Sequence, residues 1–137
     1  MNYLLHCTPD ENEEKQILDG LWKHNDHFAP VDIQPLRVTV NDASGNIKGG
    51  IIARTWWGGL DIQYLWVAAE YQKNGVGREL MLMAEGEAIK RDCHFSYVDT
   101  FSFQARGFYI KLGYSEYGSL DGFYLKFSRH YLVKPLR

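Results

Sequence analysis

Cysteine is scarce in this sequence, proline little commoner, and no long apolar run crosses it. The two cysteines, Cys7 and Cys93, lie far apart among 137 residues. A disulfide framework is therefore excluded as the source of stability, and a reducing, cytoplasmic setting is expected. No apolar stretch approaches the ~20 residues of a membrane span. The opening MNYLLHCTPDENEEK lacks a basic start followed by an apolar segment, so no secretory leader is expected. An excess of one charge is missing too. Fifteen Lys and Arg against 17 Asp and Glu leave a formal charge of -2, with no general pull toward nucleic acid. The pairs His6-Cys7 and Cys93-His94 lack the spacing of a zinc site, so no metal is expected. What remains is plentiful apolar and aromatic material, 45% and 15% of the chain. That suffices for a packed core, and without repeats or linker-like stretches it points to one domain over residues 1–137.

Periodicity divides the chain into elements. TPDE, with Thr8 as cap, Pro9 in the first turn and Glu11 reaching back, predicts a helix start. Ile17, Leu18, Leu21 and Trp22 follow at helical spacing as an apolar stripe. LRVTV (36–40), IKGGIIART (47–55) and LDIQYLWV (60–67) read as three strands joined by short turns, hence an antiparallel meander. Val76, Leu80, Ala84 and Ala88 predict a helix to about Arg91, and FSYVDT (95–100) a further strand. A strand–helix–strand crossover makes the strands at 60–67 and 95–100 parallel. Ser102 is expected to cap a helix that Gly113 ends, and SEYGSL and SRHYLV supply two more strands. The sum is an α/β fold with a mixed sheet, antiparallel in its first half and parallel in its centre.

Between the third strand and the second helix lies YQKNGVGREL, with Gly75 and Gly77 one residue apart. A tight turn needs at most one of them. The first amides of a helix lack partners and carry positive potential, and a glycine turn lets a phosphate reach them without a Cβ in the way. The alternative is a plain strand-to-helix turn. Two phosphate loops fail on spacing: no Gly-x-x-x-x-Gly-Lys-Ser/Thr run exists, and Leu80 stands where a dinucleotide fingerprint has its third small residue.

Gln72-Lys73-Asn74-Gly75-Val76-Gly77 resembles the Gln/Arg-x-x-Gly-x-Gly/Ala segment of the GNAT acetyltransferases. Downstream, DTFSFQARGFYIKLGY (99–114) is similar to the family's second motif through Ala105, Phe108-Tyr109 and Gly113-Tyr114. Together they cover about half the chain, in the order the family uses, and look most like a subgroup of small bacterial GNAT proteins.

The resemblance implies a GNAT fold with splayed central parallel strands and an enzyme moving acetyl directly from acetyl-CoA to an amine. The amides and side chains of Gln72, Lys73, Asn74, Gly75, Val76, Gly77 and Arg78 would hold the pyrophosphate. The strand end at Leu65 and Val67 would pair with the pantetheine arm by backbone hydrogen bonds. Ser102 stands where relatives carry an asparagine touching the cofactor, although a helix cap is its other role. Tyr109 matches the proton donor to the departing thiolate; its other reading is a core tyrosine. Asp61, Gln63, Glu70 and Asp99 are candidate bases, with Asp99 preferred, and alternation puts Asp61 and Gln63 on one face with Leu65 and Val67. Trp22, Trp56, Trp57, Asp61 and Tyr64 are expected to line the amine pocket. A small-molecule amine is the expected acceptor, with a protein lysine or N-terminus, a non-catalytic acyl-CoA sensor, or a homodimerising interaction protein as alternatives.

Overall fold

A computed structural model describes residues 1–137 and divides them into two units, Met1–Val31 and Asp32–Arg137. The first unit holds one helix, α1 (Glu11–Asn25). Its cap lies two residues beyond the expected Thr8. Asp10 Oδ1 accepts the Glu13 amide at 2.9 Å, and the Asp10 amide donates to Glu14 Oε2 at 3.0 Å. Aspartate is a strong cap, and the acids that follow it favour the positive helix end. The stripe Ile17, Leu18 and Leu21 is 70%, 51% and 52% exposed, not buried as its spacing predicts. A single helix offers no second layer within its own unit.

The second unit is a six-stranded sheet. Its strands are β1 (Gln34–Asn41), β2 (Ile47–Trp56), β3 (Gly59–Val67), β4 (Phe95–Phe101), β5 (Ser115–Phe123) and β6 (Phe127–Pro135), in the order β1-β2-β3-β4-β6-β5. Only β3 and β4 are parallel, joined by α2 (Val76–Lys90), as the crossover predicts. A short helix, α3 (Arg106–Lys111), follows β4. The core gathers Leu36, Ile51, Ala53, Leu60 and Ile62 from the meander with Met81, Ala84 and Ala88 of α2 and Val98, Tyr109, Tyr114 and Leu132 beyond. Ile51, Leu60, Met81 and Leu132 have at most 1% of their surface in contact with solvent, each worth about 1.5–3 kcal/mol of apolar burial. α2 ends with Asp92 at φ +65, the Cys93 amide bonding Ala88 O at 2.9 Å and the Asp92 amide Ile89 O at 3.0 Å. This pattern closes the last carbonyls of a helix. No helix is long and apolar enough to cross a membrane.

Candidate active site

The site begins where the parallel pair comes apart. β3 and β4 are in register from Gly59 opposite Phe95 to Ile62 opposite Val98, and beyond that point they no longer pair. The parting coincides with a bulge: Ile52 pairs with Tyr64 and Ala53 with Ile62, which leaves Gln63 as an extra residue. A bulge bends its strand and shifts alternation by one. Before it, Leu60 and Ile62 face the core; after it, Leu65 does. Asp61 therefore lies on the face opposite Leu65 and Val67, which corrects the unbroken alternation expected from sequence. The Ala68 amide donates to Lys48 O at 2.7 Å, so the backbone groups of Leu65 and Val67 turn to the other edge, into the gap. Gln72 Nε2 reaches the Val67 carbonyl there at 3.1 Å.

The turn after β3 answers why two glycines are needed. Gly75 is the N-cap of α2 at φ +79, and the space where a Cβ would stand has no atom within 4 Å. It offers no side-chain cap, so the first-turn amides of Val76, Gly77 and Arg78 have no partner in the helix or from a cap. Lys73 is also left-handed, at φ +67. Lys73, Asn74 and Arg78 are exposed, and neither cation is ion-paired within the chain. Gly77 serves a different purpose. A Cβ there would meet Phe108 Cζ at 3.2 Å and Val67 Cγ2 at 3.8 Å. One glycine bends the chain and opens the helix end; the other lets α3 pack close to α2.

Tyr109 is carried by α3, 5% exposed, its ring edge-on to Phe108 (5.1 Å between centroids) and Tyr114 (5.8 Å). Burial, reinforced by the Asp99 charge, pushes its phenol up to about 12. Asp99 is not a free carboxylate: Oδ1 accepts from Arg129 Nε at 2.8 Å and lies 2.7 Å from Nη2. The guanidinium also covers the Tyr131 ring at 5.4 Å. Ser102 caps no helix, because α3 starts four residues later with Ala105 as its N-cap. Instead the Ser102 amide donates to Ser128 O at 2.9 Å and its hydroxyl accepts the Ser128 amide at 3.2 Å. Ser102 thus ties the end of β4 to β6.

The aromatic residues divide. Trp56 and Trp57 stack at 5.5 Å and, with Phe95, Tyr97, Tyr117 and Val133, line a concavity of about 580 Å³. Trp56 Nε1 donates to the Tyr97 hydroxyl at 2.6 Å, and Arg54 lies over the Trp56 ring at 4.9 Å while its Nε bonds Asp61 at 3.0 Å. Trp57 and Gly58 form the β2–β3 turn at φ +47 and +81, with the Trp57 amide held by Asp32 Oδ1 at 2.9 Å. This places both tryptophans beside the start of the parallel pair rather than at the parted ends. Three register steps separate Phe95 from Val98, about 10 Å at ~3.3 Å per residue. Tyr64 is 69% exposed and does not line the concavity. Trp22 lies on α1, in the first unit, and is half-buried.

Residues 3–114 match the model of the acetyltransferase (GNAT) family. The chain belongs to the GNAT family. It is an acetyl-CoA-dependent N-acetyltransferase, similar to an acetyltransferase of Agrobacterium fabrum, 34% identical over 121 residues that make up 88% of each chain. It is also 34% identical over 110 residues to Blasticidin-S acetyltransferase of Streptomyces morookaense, covering 77% of this chain and 81% of that one. The crystal structure of an acetyltransferase from Agrobacterium tumefaciens superposes with a TM-score of 0.92 at 32% identity, over 98% of this chain and 99% of that one.

A buried polar cluster on α2 was not expected from the sequence. Glu85, in the buried stripe of α2, is 5% exposed and binds Lys134 Nζ at 2.7 Å through Oε1. Its Oε2 accepts the Tyr114 hydroxyl at 2.7 Å, and Ser96 Oγ lies 2.8 Å from the same phenol oxygen. The signal was a glutamate next to Ala84 in an otherwise apolar stripe, since acids are seldom fully buried unless paired.

Proposed function

We propose that this chain, as one acetyltransferase domain over residues 1–137, transfers acetyl directly to the amine of a small molecule at the gap between β3 and β4. The observation that carries the reading is that this gap, the uncapped start of α2 and Tyr109 converge through Val67, Gly77 and Phe108. The residues fit acetyl-CoA. Unpartnered amides at Val76 to Arg78, beside a position with no atom in a Cβ's reach, suit a pyrophosphate. The inward-turned edge of Leu65 and Val67 suits an extended amide-bearing arm, with Gln72 already engaging the Val67 carbonyl.

Acetyl-CoA supplies an activated acyl carbon, to which the amine nitrogen bonds as the carbon–sulfur bond breaks. Tyr109 gives its phenolic proton to the leaving sulfur and is reprotonated from solvent. The free amine attacks and sheds its second proton as the amide forms, after the bound ammonium has lost its first proton to water or a nearby carboxylate. Asp99 is the carboxylate nearest this role by sequence, and its pairing with Arg129 makes water the better acceptor. Cys93 is not poised to form an acyl-enzyme: it is buried, and burial pushes its thiol up.

The aromatic concavity lies about 10 Å from the parted strand ends. Trp57 and Tyr97 would therefore hold the far end of a small acceptor, by about 0.5–2 kcal/mol where that end is cationic, and not the reacting amine. The relative named for blasticidin S makes that compound the first acceptor to try. A panel of amines, blasticidin S included, incubated with acetyl-CoA and read by thiol release and product mass tests the reading. Tyr109→Phe should lower kcat about ten- to a thousandfold with little change in acetyl-CoA affinity. Because the phenol remains protonated up to about 12, kcat/KM should rise from pH 6 to 9 as the amine loses its proton, with no falling limb below about pH 10. Acetylation of protein lysines with all panel amines inert would overturn the small-molecule assignment, and unchanged turnover in Tyr109→Phe would remove the proton donor.

A further inference from the structure

α3 has six residues, Arg106 to Lys111, far below the length at which a helix holds itself in water. Its N-cap, Ala105, has no side chain to close the first turn. Whatever fixes Tyr109 must therefore come from tertiary anchors. One is Phe108 against Gly77 and Val67. The second stands at the other end of α3. Gly113, at φ +100, turns the chain so that the Tyr114 amide bonds Tyr109 O at 3.1 Å and the Gly113 amide bonds Ile110 O at 3.1 Å. This folds Tyr114 back under Tyr109, where their rings meet edge-on at 5.8 Å.

Tyr114 is 2% exposed, and its phenol is held from two sides. Its proton goes to Glu85 Oε2 at 2.7 Å, so Ser96 Oγ, 2.8 Å away, donates to the phenol oxygen. Glu85 is fixed in turn by Lys134 of β6, whose stem would lie 3.5 Å from a Cβ on Gly113. α2 and β4 thus meet at one buried hydroxyl, with β6 joined to it through Lys134 and Glu85. That hydroxyl belongs to the residue whose ring packs edge-on against that of the tyrosine assigned as proton donor.

We propose that Tyr114 and Glu85 are positioning residues for acetyl transfer: their buried hydrogen bond sets the height of the Tyr109 phenol over the gap between β3 and β4. The inference rests on the Tyr109 reading above. Misplacing a reacting group by about 1 Å can cost up to ~100-fold, so Tyr114→Phe, which keeps the ring and loses the anchor, should lower kcat about five- to fiftyfold. KM for acetyl-CoA should move less than about twofold, because neither residue touches the α2 turn.

A double-mutant cycle with Tyr109→Phe tests this, read by CoA thiol release with the fastest panel amine, or with water as acceptor if none turns over. The expected result is that Tyr114→Phe lowers kcat in the wild-type background and adds nothing once Tyr109 is phenylalanine. Glu85→Met, which removes the acceptor for the phenol, should reproduce the Tyr114→Phe loss. This variant carries the same cycle if Tyr114→Phe does not fold. Equal losses in both backgrounds, or normal kcat in folded Tyr114→Phe, would overturn the positioning role while leaving Tyr109 in place. Normal turnover in Tyr109→Phe alone would remove the reading beneath it, and the proposal with it.

Discussion

The two long helices begin in opposite ways. α1 closes its own start: Asp10 takes the Glu13 amide, Glu14 returns to the Asp10 amide, and Glu11, Glu13 and Glu14 crowd the positive end. α2 leaves its start open. Gly75 has no side chain to cap with, only Glu79 is acidic in the first turn, and Lys73 and Arg78 stand nearby unpaired. Both segments are 15-residue helices, so length does not explain the contrast. A helix end satisfied by its own sequence needs nothing further, while one left open favours an anion from outside.

Making α2 begin like α1 should have the largest effect. In Gly75→Asp a carboxylate would cap the helix and occupy the place proposed for the pyrophosphate. Aspartate tolerates the left-handed φ better than most residues, so the fold should persist. Acetyl-CoA affinity should fall about a hundredfold, measured by isothermal titration, and unchanged affinity would break the contrast. Next in size is Gly77→Val. Its Cβ would press on Phe108 at 3.2 Å, with the γ carbons beyond, so overpacking should cost about 1–3 kcal/mol. A denaturant series that finds full stability with binding lost would mean Gly77 serves the ligand rather than the packing of α3. The smallest effect belongs to the closed helix end. Asp10→Ala should cost about 1 kcal/mol in local stability and leave acetyl-CoA affinity within about twofold; hydrogen exchange along α1 and one titration would check both.

The elements and the parallel crossover were legible because they rest on local periodicity and on the handedness of chain connections. Residues 72–77 and 99–114 likewise exposed the family, since glycines and aromatics at fixed spacing survive outside any three-dimensional context. What was not legible depended on register. The bulge at Gln63 leaves no mark in the sequence, yet it moves Asp61 to the face away from Leu65 and Val67. Ser102 reads as a cap because serine prefers that position, but α3 begins only at Arg106 and Ser128 claims the serine. The roles of Gly75 and Gly77 look identical in sequence and separate only when Phe108 is seen against one of them. The Glu85–Tyr114 contact joins residues 29 apart in sequence, beyond the reach of any periodic pattern.

A titration of acetyl-CoA into ¹⁵N-labelled protein tests, without altering a residue, whether the open start of α2 receives the pyrophosphate. The amides of Lys73 to Arg78 should show the largest chemical-shift changes in the chain, as unpartnered N–H groups gain charged acceptors, while those of Glu11 to Glu14 at the closed start of α1 stay where they were. Still amides at 73–78, or equal movement at both helix starts, would contradict that reading.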